Sequence, residues 1–157
     1  MRSLRADSRR QPTVDMGTLG RMKLLLFQAK SFGWAPHERT LDSADPEPPA
    51  GEVEEAVVAF IHAEKHDEED RARTVRRTIK NLKWLAKKRP LETVVLHSFA
   101  HLGGENADAD WTLAFFDEVR ERLENVGYRV ETTPFGWFSS WHIDVYGESL
   151  AKVFQEF

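Results

Sequence analysis

Residues 55–65, EAVVAFIHAEK, form an apolar, β-branched run of the kind that fills a central strand. Directly behind it, Val75, Ile79, Leu82 and Leu85 recur at helical spacing, and Pro90 lies just past the pattern, so a helix is expected over about Glu68 to Lys88. A strand that must bury its surface, followed at once by an amphipathic helix, calls for a sheet with helices packed on it.

The rest of the chain extends that pattern. Residues 23–29 read as a first strand. The following KSFGWAPHERTLDSADPEPPAG, with Pro36, Pro46, Pro48 and Pro49, reads as an irregular hairpin or loop. LETVVLHSFAHLGG is a strand running into a Gly-Gly loop. Asp110–Asn125 is a second helix, with Leu113, Phe116, Val119 and Leu123 inward and Gly127 as its stop. YRVETTPFGWFSSWHIDVYG gives two strands around Pro134 and Gly136, and ESLAKVFQEF closes as a short helix. The order β-β-β-α-β-α-β-β-α lacks regular βαβ repetition, so an α/β (α+β) domain with a mixed sheet is expected. The polar, arginine-rich residues 1–21 read as a disordered extension without a signal sequence, leaving one folded domain from Met22 to the end.

Composition narrows the chemistry. At 157 residues the chain can bury a core without staples, and it has no cysteine, which excludes disulfides, a thiolate nucleophile and Cys-ligated zinc. No apolar run approaches the roughly 20 residues of a membrane helix; with no signal sequence, a cytoplasmic protein is expected. The net charge of -4 opposes indiscriminate coating of nucleic acid. Yet residues 71–89 hold nine cations and no acid. A solvated helix face is the ordinary reading of such a run, and a phosphate-seeking face is the other; Arg73, Arg76, Arg77, Lys80 and Lys83 are its candidates.

Two H-x3-H pairs, His62/His66 and His97/His101, begin in strands and end near their exits, where i and i+4 side chains do not converge, so no metal is expected. Ser98, Ser139 and Ser140 lie outside any G-x-S-x-G elbow, and Gly103-Gly104 lacks the GK[ST] ending of a phosphate loop. Trp137, Phe138 and Trp141 read either as packing or as a stacking platform for a base.

AVVAFIHAEK at 56–65, SFAHLGG at 98–104 and TPFGWFSSWHIDVYGESLAK at 133–152 resemble, in order and spacing, three motifs of the archaeal threonyl-tRNA synthetase editing domain, whose fold is similar to that of D-aminoacyl-tRNA deacylase. The resemblance runs from about Met22 to the end and implies a freestanding editing protein. A pocket built for threonine rejects serine by one missing methyl, worth about 1–3 kcal/mol, so a second site must hydrolyse the mischarged ester. The ester is already activated, so positioned water and an adjacent ribose hydroxyl suffice, without metal or cofactor. Seryl-tRNA for threonine is the first substrate implied. The implied partners are the acceptor end of aminoacyl-tRNA, a second copy in a homodimer, and a threonyl-tRNA synthetase that lacks editing.

Carried over residue by residue, the resemblance makes His101 a pocket histidine, with the backbone of Phe99 and Ala100 beside it. Ala63 falls where main-chain groups approach the terminal nucleoside, and Phe135 and Gly136 match the turn under the substrate, with Trp137 beside them. Where the family has a tyrosine and a lysine, this chain has Phe138 and Ser139; where it has a glutamate, this chain has Lys152. Lys152 is expected to return the missing charge and Ser139 to orient water. The lost lysine also gives a second reading, a non-catalytic binder of tRNA ends or of a synthetase. The resembled fold implies that the exits holding Ala63, His101 and Ser139 converge.

Overall fold

The computed structural model describes residues 21–157, so all of the expected extension except Arg21 lies outside the described residues. Six strands form one mixed sheet: β1 (Lys23–Arg39), β2 (Gly51–His62), β3 (Thr93–Ser98), β4 (Arg129–Thr132), β5 (Trp137–Val145) and β6 (Lys152–Glu156). Two helices, α1 (Arg71–Lys88) and α2 (Ala109–Glu124), connect β2 to β3 and β3 to β4. The strand order is β4-β3-β2-β1-β5, with β6 also paired to β1. β2, β3 and β4 run parallel, as their helical crossovers require, while β1 is antiparallel to β2, β5 and β6.

The run at 55–65 is the central strand β2, ending at His62 before a 3₁₀ turn at Lys65–Glu69. Its alternate side chains bury on both faces. Val57, Ala59 and Ile61 join Leu24, Leu26, Val94 and Leu96 beneath the helices, which contribute Val75, Leu82, Leu85, Phe115, Phe116, Val119 and Leu123. Val58 and Phe60 point the other way, into a smaller cluster with Phe32, Trp34 and Val95. Each fully buried side chain of this size contributes about 1.5–3 kcal/mol.

Three expectations need correction. The segment read as an irregular hairpin or loop continues as β1 to Arg39. Phe32 and Trp34 keep the strand alternation and are buried. Register shifts on the β5 side flank Lys30 and His37, so Pro36 sits at a bulge, beyond the last β2 pair at Trp34, where its missing N–H breaks no β2 ladder bond. The closing helix is a 3₁₀ turn, Ser149–Ala151, followed by β6. There Lys152–Glu156 pairs with Phe27–Lys23, Val153 packs into the larger core and Phe157 N donates to Met22 O at 3.0 Å. A ten-residue window is too short for helical and strand periods to separate, and the unpaired edge of β1 decides the matter. In α2 the inward stripe is Thr112, Phe115, Phe116, Val119 and Leu123, while Leu113 is exposed.

Helix ends follow local chemistry. Asp70 accepts from Arg73 N at 3.0 Å and caps α1, which begins at Arg71, a little after the expected Glu68; Asp108 accepts from Asp110 N at 3.1 Å and caps α2. Gly127, at φ +97, stops α2 as expected.

Candidate active site

The parallel strands β2 and β3 end side by side, and a cavity of about 520 Å³ opens beyond their carboxyl ends, the usual place for a ligand in such sheets. His62 and Ala63 come from the exit of β2, and His97 through His101 from β3 and the loop after it. The first turn of α2 supplies Ala109 and Thr112, the turn before β5 supplies Pro134–Gly136, and β5 adds Trp137, Phe138, Ser139 and Trp141. Thus Ala63, Phe99, Ala100, His101, Phe135, Gly136, Trp137, Phe138 and Ser139 share one cavity wall, with His101 and Ser139 facing the same space.

The wall is held by backbone contacts. Phe99 N donates to Ile61 O at 2.9 Å, and the Phe99 ring meets His101 edge-on at 5.1 Å between centroids. Gly136 adopts φ +81, and its carbonyl accepts from Thr40 N at 2.7 Å, tying the loop after β1 to the cavity. A Cβ there would stand 2.8 Å from Ala44 Cβ, so the turn demands glycine twice over. Trp137 Nε1 donates to Asp45 O at 2.8 Å, and Trp141 packs 5.1 Å from Phe60. Trp137, Phe138 and Trp141 therefore divide their roles: the first two are rim residues, with Phe138 56% exposed, and Trp141 also caps the smaller core.

Two wall histidines escaped the sequence reading as cavity groups. His97 bonds Thr133 Oγ1 through Nδ1 at 2.8 Å, and burial pushes its pKa down to about 4, so the ring is neutral near pH 7. His62 Nε2 lies 2.7 Å from Asn106 Oδ1. The signal for His97 was its strand alternation with Phe99, immediately before the motif at 98–104 already singled out. Among the residues lining the cavity there is no Lys, Arg, Asp or Glu. Among the described residues no three His, Asp or Glu side chains gather as metal ligands would.

Other candidates lie elsewhere. Lys152 is outside the cavity lining, and its Nζ donates to the carbonyl of Tyr146 at 3.0 Å, with those of Gly147 and Glu148 at 3.4 and 3.5 Å. The charge expected of it is not returned to Ser139, because β6 replaces the helix that was to carry it. Arg73, Arg76, Arg77 and Lys80 are exposed on α1 and Lys83 is half-buried there; none lines the cavity. The Arg77 guanidinium lies 5.7 Å from the Phe157 ring centroid. No helix among the described residues is long and apolar enough to cross a membrane.

Among solved structures, one described as a probable eukaryotic D-amino acid tRNA deacylase aligns at TM-score 0.58 and 12% identity, covering 87% of this chain and 98% of its own. The c-Myc DNA unwinding element binding protein aligns at TM-score 0.56 and 12% identity, over 85% and 97% of the two chains. At that identity these similarities establish the fold, a mixed sheet with two helices of D-aminoacyl-tRNA deacylase type. Among curated proteins, the threonine–tRNA ligase of Thermococcus onnurineus is 30% identical over 135 residues, 84% of this chain and 22% of the ligase. That of Methanococcus aeolicus is 26% identical over 132 residues, 84% and 21% of the two chains. The chain thus spans about a fifth of the length of these relatives. Residues 22–157 match the family model described as the archaea-specific editing domain of threonyl-tRNA synthetase, and the chain belongs to that family.

Proposed function

We propose that this domain hydrolyses mischarged aminoacyl-tRNA, with serine on threonine tRNA as its first substrate. The supporting observation is the cavity itself: about 520 Å³ at the strand exits, lined by His101, Ser139 and Ala63, in a chain of an editing family. Such a volume suits a terminal nucleoside and its small amino acid.

The chemistry must work without a side-chain cation or carboxylate, because none lines the cavity. Water attacks the ester carbonyl, the carbonyl oxygen gains charge, and the ester oxygen leaves to the ribose. The vicinal hydroxyl of the terminal ribose is placed to order that water and to share the proton, and backbone amides stabilise the oxyanion. Ser139 orients water, His101 shapes the amino-acid pocket, and Trp137 with Phe138 offers faces on which the terminal adenine stacks. Lys152, engaged by three carbonyls, has no part in it. The exposed cations of α1 are the proposed contact with tRNA phosphates, and the work is placed in the cytoplasm with that substrate.

The same uncharged wall favours one other reading, a domain that holds tRNA ends or a synthetase without cleaving. Incubating the chain with seryl-tRNA and threonyl-tRNA and following released amino acid separates them. Faster release of serine supports the proposal; tight binding with no release supports the second reading.

A further inference from the structure

Glu64 is fully buried, one residue past Ala63, yet is not itself a wall of the cavity. Its Oε1 accepts from Lys23 Nζ at 2.6 Å and from the backbone N–H of Gly104 at 2.8 Å. One carboxylate therefore joins β1, the exit of β2 and the loop after β3. Further bonds follow the same seam: Lys65 N donates to Glu105 O at 2.9 Å, Ala107 N to Ala63 O at 3.0 Å, and His62 Nε2 meets Asn106 Oδ1. The loop fits the carboxylate closely, since a Cβ on Gly103 would collide with Glu64 Oε1 and Lys23 Nζ. This gives Gly103-Gly104, which is no phosphate loop, a definite use.

A buried ion pair is weak support for stability, because desolvating both charges offsets most of their attraction. What such a pair does well is fix a position. The loop it grips carries Phe99, Ala100 and His101 to the cavity wall. We infer that Glu64 is a positioning residue: balanced by Lys23, its carboxylate clamps the Gly103-Gly104 loop to the exit of β2 and so sets His101 on the cavity wall. The catalytic consequence rests on the deacylation proposed above; the placement does not.

Reach and charge are separable. Glu64→Gln keeps an oxygen acceptor at the same reach and drops the charge, whereas Glu64→Asp keeps the charge and withdraws the acceptor by one methylene. Backbone amide exchange at Gly104, the imidazole NMR signals of His101 and the rate of serine release from seryl-tRNA are measured on both full-length variants. The expected result is that Glu64→Gln keeps Gly104 protected, leaves the His101 signals in place and stays within about tenfold in rate. Glu64→Asp should expose Gly104, move the His101 signals and lower kcat about 10²-fold, as a misplacement near 1 Å does, with KM little changed. If either variant fails to fold, Gly103→Ala presses the same contact from the loop side and is expected to move the His101 signals. Unmoved His101 signals in Glu64→Asp, or in Gly103→Ala where that variant replaces it, overturn the inference, as does loss of Gly104 protection with full release rate. Should the unaltered chain release no amino acid, the proposed function falls while Gly104 and His101 still decide the placement.

Discussion

His97 and Asp67 pull in opposite directions in acid. His97, folded, holds its proton only below about pH 4 against an ordinary 6.5, because burial disfavours the imidazolium. The unfolded chain therefore takes up a proton first as pH falls from 6.5 towards 4, and stability is lost, by about 2 kcal/mol at pH 5. Asp67 is raised to about 6 from 3.8, chiefly by burial, although Met22 N and Glu64 N donate to it. There the folded chain takes the proton first, so the same acidification returns stability, about 1 kcal/mol. Thermal unfolding at pH 7 and 5 checks this: His97→Phe should shrink the acid loss and Asp67→Asn enlarge it. At Ser139, Ser139→Ala is expected to lower deacylation tenfold or less, and Ser139→Lys to preserve or raise it. The cavity positions Ala63, His101 and Ser139 were legible because each falls inside a contiguous stretch that resembles a motif of the family, and all three line the cavity. His97 was not, because a strand histidine shows its partner only when Thr133 arrives from a distant turn, and Lys152 was misplaced along with its element.

At the scale of elements, the long apolar stretches read correctly because burial on a sheet or beneath a helix fixes their period. β2, α1 and β3 were found within a few residues. What failed were segments whose state depends on a partner far along the chain. β1 outlasts Pro36 because β5 pairs with its far half, and β6 is a strand because Lys23–Phe27 offers an open edge. Leu113 was drawn into the stripe of α2 by its apolarity, while Phe115, two residues on and so on the opposite face of the helix, had the packing. The turn before β5 gives a direct test. Gly136→Ala forces a Cβ into φ +81 and against Ala44, so it should cost at least about 1 kcal/mol by denaturant unfolding and loosen the Thr40–Leu41 flank of the cavity. An unchanged midpoint would mean the turn adapts freely.

For the whole molecule, β6 is an edge strand whose Phe154 is half exposed beside Leu25, between Lys152 and Glu156 on the same face. A second copy covering this edge in a two-fold dimer is the expected assembly. Light scattering at micromolar concentration should give a dimer, and Phe154→Lys should shift it towards monomer without lowering the unfolding temperature of the monomer. A monomer throughout contradicts this. The central claim, that hydrolysis runs on positioned water and the substrate's own hydroxyl inside an uncharged cavity, is tested most directly on the substrate. Single-turnover release of serine is compared for seryl-tRNA ending in adenosine and in 2′-deoxyadenosine, with Ser139→Ala measured beside them. The deoxy substrate should lose more rate than Ser139→Ala loses. An inactive Ser139→Ala variant, together with normal turnover of the deoxy substrate, would make the serine the nucleophile or base and contradict the account.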